Sequence, residues 1–89
     1  GKYQTGTYTG TGGSGNAITG LGFKPQFVLV RSVDDQHVFL LSEDLIPDTA
    51  ANLTNGDRDA AFTLDTDGFT VDSGNVNASG DQFRYFAWG

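Results

Sequence analysis

AAFTLDTDGFTVD, residues 60–72, is the stretch that decides the fold. Phe62 and Leu64 alternate with Ala61 and Thr63 before Asp65-Thr66-Asp67-Gly68, and Phe69 and Val71 resume the alternation after it. A period of two sends successive side chains to opposite faces of a strand, so each arm has an apolar face and a small or polar one. Acids and a glycine between two such arms form a turn, and an antiparallel hairpin is expected. Gly68 closes the loop, where a positive φ is expected to require glycine.

Working outward, a second hairpin precedes the first. Residues 27–33 are a near-continuous apolar run, suited to a central strand, and Lys24-Pro25 marks its entry because proline removes a ladder donor. Asp34-Asp35-Gln36 reads as a turn, with residues 37–42 returning antiparallel. Further out, Tyr3–Thr9 is a threonine-rich first strand, residues 10–15 (GTGGSG) are a flexible loop, and residues 17–23 pair briefly. Residues 83–88 form the last strand, with Phe83, Tyr85 and Ala87 on one face and Arg84, Phe86 and Trp88 on the other. Aromatics on both faces imply a strand buried between layers or covered by a partner.

The segment between the hairpins, residues 43–59 (EDLIPDTAANLTNGDRD), lacks alternation and carries Pro47 and Asn55-Gly56. A helical turn at Leu45-Ile46 or over residues 49–53 is compatible with it, but nothing caps a longer helix. So long a connection inside a compact domain tends to be functional or mobile. Asn52, Asn55, Asp57, Arg58 and Asp59 are therefore the candidate ligand-contact residues. The pattern as a whole predicts an all-β fold: a small antiparallel β-sandwich, jelly-roll-like, of about six to eight strands.

Composition narrows the function. Eighty-nine residues make one domain near the size where a single core is only just sufficient. Only 37% of residues are apolar, so seven Phe, three Tyr and one Trp must supply much of the core. There is no cysteine for a disulfide or for thiolate chemistry, and apolar runs such as residues 27–30 and 38–41 are far too short to span a membrane as a helix. With no methionine and an aromatic strand at its end, the chain is expected to be part of a larger or processed one. A net charge of −6 argues against nucleic acid and anionic membranes, since the cations Lys2, Lys24, Arg31, Arg58 and Arg84 are scattered and outnumbered two to one.

The chemical motifs are weak. Gly10, Gly12 and Gly15 satisfy GxGxxG, but a dinucleotide site needs that loop to open a helix, and Gly20, Gly22 and Pro25 follow instead. His37 stands alone, without a nucleophile or further nitrogen and sulfur ligands, and reads as a strand-start residue. Asp65-Thr66-Asp67-Gly68 resembles the opening of a calcium loop, but Val76 falls where the bidentate Glu belongs. Solvated turn acids are the simpler reading, with an oxygen site from Asn55, Asp57 and Asp59, or from Asp65 and Asp67, as the other. Glu43 and Asp44 are adjacent and would face opposite ways on a strand, so they cannot flank a glycosidic bond. No catalytic residue, cofactor or metal is expected, and the chain is read as not an enzyme. Tyr3, Tyr8, Tyr85 and Trp88 could stack on sugars, although so small a chain needs most of its rings for the core. Asn52-Leu53-Thr54 and Asn77-Ala78-Ser79 are glycosylation sequons in predicted loops.

Several segments together carry a resemblance. YTGTG at 8–12, ITGLGFKPQFVLVR at 18–31, LDTDGFTV at 64–71, NASG at 77–80 and YFAW at 85–88 resemble a recurring module of phage tail-fibre-type structural proteins and large secreted bacterial surface proteins. The GFxPxxV, DGFxV and closing AW pattern covers nearly the whole chain and brings no catalytic motif. Related modules often place a Trp where this chain has His37-Val38-Phe39, so no sugar-stacking role carries over to that position. The resemblance implies a non-enzymatic structural or adhesive module of a virion or extracellular protein, showing its loops to a host-cell surface, with a host glycan as the candidate ligand. The alternative is a self-assembling subunit of an extracellular filament or virion shell. Tyr3, Tyr8, Phe86 and Trp88 are the candidate self-contact residues, because Tyr3–Thr9 lacks the inward charges that blunt a free edge and no charge follows Arg84.

Overall fold

Both predicted hairpins form, and each anchors a different sheet. The computed structural model describes residues 2–13, 15–33, 37–42, 46–52, 58–60, 62–72 and 74–89. In chain order the strands are β1 (Tyr3–Thr9), β2 (Asn16–Ile18), β3 (Phe27–Ser32), β4 (Val38–Ser42), β5 (Ile46–Asn52), β6 (Arg58–Ala60), β7 (Phe62–Asp65), β8 (Gly68–Val71) and β9 (Gln82–Trp88). A short 3-10 turn over Gly74–Val76 is the only helical element among the described residues. The larger sheet has six strands in the order β1-β9-β3-β4-β5-β6, and the smaller has three, β2-β8-β7. Every pairing is antiparallel. The fold is a small all-β sandwich.

The helical turn expected within residues 43–59 is overturned, because 46–52 and 58–60 are strands that pair with each other. β5 also continues the sheet from β4, with Ser42 opposite Ile46 and Leu40 opposite Ala51. The register shift between those pairs takes in Pro47, which has no N–H to give a regular ladder. An alanine- and asparagine-containing segment with little strand preference is thus held extended by the neighbour it completes, as pairing context overrides propensity. β5 and β6 bring the strands of the described residues to nine.

Position in the sheet corrects the reading of the last strand. β9 is no edge: β1 pairs on one side of it and β3 on the other. Its aromatics divide as the alternation requires. Phe83 and Ala87 are fully buried against the smaller sheet, whereas Phe86 is half-buried and Trp88 exposed on the outer face. The edge beside β9 is β1.

The core lies between the sheets. Val28 and Val30 of β3, and Phe39 and Leu41 of β4, form one wall with Phe83. Phe69 and Val71 of β8, Phe62 and Leu64 of β7, and Ile18 of β2 form the other. Tyr8 is part of this core, which removes it from the candidate self-contact residues. Its ring stacks on Phe83 at 4.9 Å and 14° and meets Phe69 edge-on at 6.0 Å and 73°. Its hydroxyl donates to the Val76 carbonyl oxygen at 2.7 Å.

Burial pushes the Tyr8 phenol well above its ordinary value, and the half-buried Tyr85 shifts the same way. The folded state therefore holds these protons to higher pH than the unfolded chain does. The resulting stability is complete below about pH 10, the unfolded phenol pKa, and is lost as pH rises above it. Tyr8→Phe is expected to cost about 1 kcal/mol at pH 7 by removing the hydrogen bond. It should also flatten the alkaline fall, which thermal melts between neutral and strongly alkaline pH would read.

Gly68 is not at positive φ; among the described residues Gly12, Gly15, Gly20, Gly22 and Gly80 are. Gly68 pairs with Asp65 across a two-residue turn, Thr66-Asp67, and is buried within the hairpin. A Cβ there would collide with the Ile18 carbonyl oxygen and sit 3.1 Å from the Thr19 Cα. Glycine is needed for close approach of two backbones, not for loop conformation.

Candidate functional site

Three places gather the residues that sequence reasoning singled out. The first is the GxGxxG loop joining β1 to β2. Its amides are committed to protein acceptors: Gly10 N–H to the Asp81 carbonyl at 2.9 Å, and Gly12 N–H to the Asn77 carbonyl at 2.8 Å. Thr11 N–H donates to Asn77 Oδ1 at 2.9 Å and Gly15 N–H to Asp72 Oδ1 at 3.2 Å. No helix follows the loop; β2 does. These amides are not a phosphate cradle.

Asn77 is the hub of that loop. The residue is 1% exposed, and its Nδ2 donates to Thr11 Oγ1 at 3.0 Å and to the Gly13 carbonyl at 2.6 Å. Oδ1 accepts from Asn16 Nδ2 at 3.0 Å as well as from Thr11. The second sequon therefore centres on a buried amide whose nitrogen is already bonded, which makes it no acceptor for a glycan in the folded chain. Sequence reading placed Asn77 in an open loop because nothing local marks an Asn that will be enclosed.

The second place is the turn between β7 and β8. Asp67 is exposed but accepts Gly20 N–H on Oδ2 at 3.0 Å and Gly22 N–H on Oδ1 at 2.7 Å, while its backbone carbonyl accepts Leu21 N–H at 3.0 Å. Consecutive amides thus wrap one aspartate, and the positive φ values of Gly20 and Gly22, 86° and 83°, aim them there. Asp65 Oδ2 accepts the Thr70 hydroxyl at 2.7 Å. Asp65 and Asp67 are turn acids as read, Asp67 exposed, and their carboxylates also brace the turn through these hydrogen bonds. Among the described residues no group of three or more His, Cys, Asp or Glu could hold a metal. His37 stands just before β4, half-buried, its ring 6.3 Å from that of Phe39.

Of the predicted ligand-contact residues, Asn52 ends β5 and Arg58 and Asp59 open β6. Asn55 and Asp57 lie outside the described residues.

The third place is the outer face of the larger sheet, and it holds the remaining self-contact residues together. Tyr3 pairs with Trp88 and Thr5 with Phe86 across β1 and β9, and the Tyr3 and Phe86 rings stack at 5.7 Å and 12°. Tyr3 is 65% exposed and Trp88 37%, the largest exposed apolar groups among the described residues besides Val33. From β3, Phe27 and Leu29 continue the same rows. One step further along come Arg84 and Arg31, directly opposite each other, with Val38 beyond. Leu29, Val38, Arg31, Arg84 and Phe86 line a shallow, open depression of about 230 Å³. Sequence reading found the aromatics but not the arginine pair, which depends on the register between strands far apart in the chain.

The outer face thus gathers aromatic rings, arginines and threonines on one side of the larger sheet. The chain belongs to the DUF7483 family, a domain of unknown function, whose model matches residues 1–89. No match is found among the curated proteins or among the solved structures.

Proposed function

We propose that this DUF7483 domain is a non-enzymatic structural or adhesive module of a phage fibre or extracellular surface protein, presented to a host-cell surface. One observation carries the reading: Tyr3, Phe86 and Trp88 lie together on the outer face of the six-stranded sheet, Tyr3 opposite Trp88 and stacked on Phe86, partly exposed and backed by a packed core. Large apolar groups held rigidly at a surface mark contact sites. The resemblance to fibre and surface modules supports the same conclusion, as does a chemistry of rings and hydrogen-bonding groups. A host glycan is the candidate ligand, and the outer face is a further place it would meet besides the segment 43–59.

The alternative is a self-assembling subunit of a filament or shell. It is favoured by β1, a seven-residue threonine-rich edge strand of the larger sheet that another chain could extend. Light scattering across a concentration series separates the two. The module reading expects a monomer whose melting temperature ignores concentration, and binding on a glycan array that Trp88→Ser abolishes. Concentration-dependent association lost in Phe86→Ser and Trp88→Ser would establish self-assembly instead.

A further inference from the structure

We infer that Arg31 and Arg84 form a binding site for a single carboxylate carried on an otherwise uncharged ring, the chemistry of an acidic sugar end group. The inference rests on the adhesive reading above and names its ligand class. The two residues are direct cross-strand partners on β3 and β9, both exposed. Like charges placed directly opposite on adjacent strands repel, so the arrangement is unfavourable when nothing lies between them. The sheet offers no relief in that row: Thr7 flanks Arg84 and Val38 flanks Arg31. Arg31 and Arg84 are both among the residues lining the depression, and among the described residues that line it there is no Asp or Glu. In a chain of net charge −6, two of its five cations stand side by side on one face. Paired guanidinium groups suit a planar oxyanion, because each presents a fork of donors matched to carboxylate oxygens.

The charge of the whole chain selects the occupant. A polyanion, or an acidic second copy, would meet long-range repulsion from a net charge of −6. A two-fold contact over this face would also bring two arginine pairs together. A ligand with one negative charge on a neutral body avoids both costs. The size agrees: about 230 Å³, open to solvent, is below the usual range for a whole small-molecule ligand and suits a single ring. The aromatic plate lies at the right spacing, since Phe86 is two residues from Arg84, about 7 Å along the strand. A ring resting on Phe86 would bring its carboxylate to the arginines. Thr5 and Thr7, opposite Phe86 and Arg84, would offer hydroxyls to the ring's own.

Melting of the isolated chain with sodium glucuronate tests this, against glucose and against sodium chloride at equal ionic strength. Glucuronate should raise the melting temperature saturably by several degrees, glucose should not, and Arg84→Gln or Arg31→Gln should abolish the effect. Without ligand and at low salt, Arg84→Gln should melt above the wild type, and the difference should shrink as salt screens the pair. Equal shifts with chloride and glucuronate, or a glucuronate shift that survives Arg84→Gln, would overturn the site. Sodium sulfate matching glucuronate would overturn the ring requirement. A hexaglutamate peptide that stabilises more than glucuronate would assign the face to an acidic protein partner. The glycan array and scattering read Trp88, so failure of the arginine site leaves the adhesive reading to be judged separately.

Discussion

Alanine at position 68 is expected to cost about 3 kcal/mol or more, a large part of the stability of a domain this size. The three atoms nearest the added Cβ would all be backbone: the Ile18 carbonyl oxygen, the Ile18 carbonyl carbon at 3.0 Å and the Thr19 Cα at 3.1 Å. Backbone atoms cannot rotate away as a side chain could to relieve the clash. β2 must move off β8, which pulls on the pairing of Ile18 with Phe69 and on the amides that wrap Asp67 just beyond it. Two other glycines calibrate the effect. At Gly20 a Cβ would find open space, but φ is +86°, so alanine should cost about 1 kcal/mol from backbone conformation alone. At Gly13 there is open space and no positive φ, and alanine should fall within about 0.5 kcal/mol of the wild type. Urea denaturation of the three variants checks the order. A Gly68→Ala loss no larger than that of Gly20→Ala would show that β2 is not firmly seated on the hairpin.

Asn77→Ala is expected to cost about 2–4 kcal/mol, because it empties a buried hub in which both ends of the amide are used. Its oxygen accepts from Thr11 N and Asn16 Nδ2, and its nitrogen donates to Thr11 Oγ1 and the Gly13 carbonyl, at 2.6–3.0 Å. Alanine leaves those four partners to water in a part-buried site. Asn77→Asp should rescue little, since a carboxylate can accept but cannot donate to Thr11 and Gly13 and would be charged where burial is nearly complete. Thermal melting gives the magnitude. Amide exchange at Thr11 gives the cause, because its protection should fall before that of β1 as a whole. A stable variant with Thr11 still protected would mean that the backbone bonds of Gly10 and Gly12 hold the loop by themselves.

The strands with strong alternation were legible without coordinates. Phe62, Leu64, Phe69 and Val71 all face the core as read, and so do Phe83 and Ala87, while Phe86 and Trp88 face outward. Where alternation was missing the reading failed. Residues 46–52 and 58–60 carry little strand preference of their own and are extended because β4 offers an unpaired ladder. Tyr8 illustrates a subtler limit. Its ring was read both as one the core needs and as a self-contact candidate, and Phe83 and Phe69 decide for the core from parts of the chain that no local pattern connects to it. The outer-face aromatics Tyr3, Phe86 and Trp88 were identified from their residue types, but that Tyr3 stacks on Phe86 follows only from the pairing of β1 with β9.

By itself the sequence determined the all-β class, the two hairpins, the inward faces of their strands, and an acidic charge balance, because periodicity and composition are properties of the chain itself. Tertiary structure alone decided that β9 lies inside the sheet and that Gly68 serves a backbone contact with Ile18. It alone enclosed Asn77 and set Arg31 against Arg84. Each of these depends on strand register between distant segments, which is chosen by the packing of the whole core and leaves no trace in any one stretch.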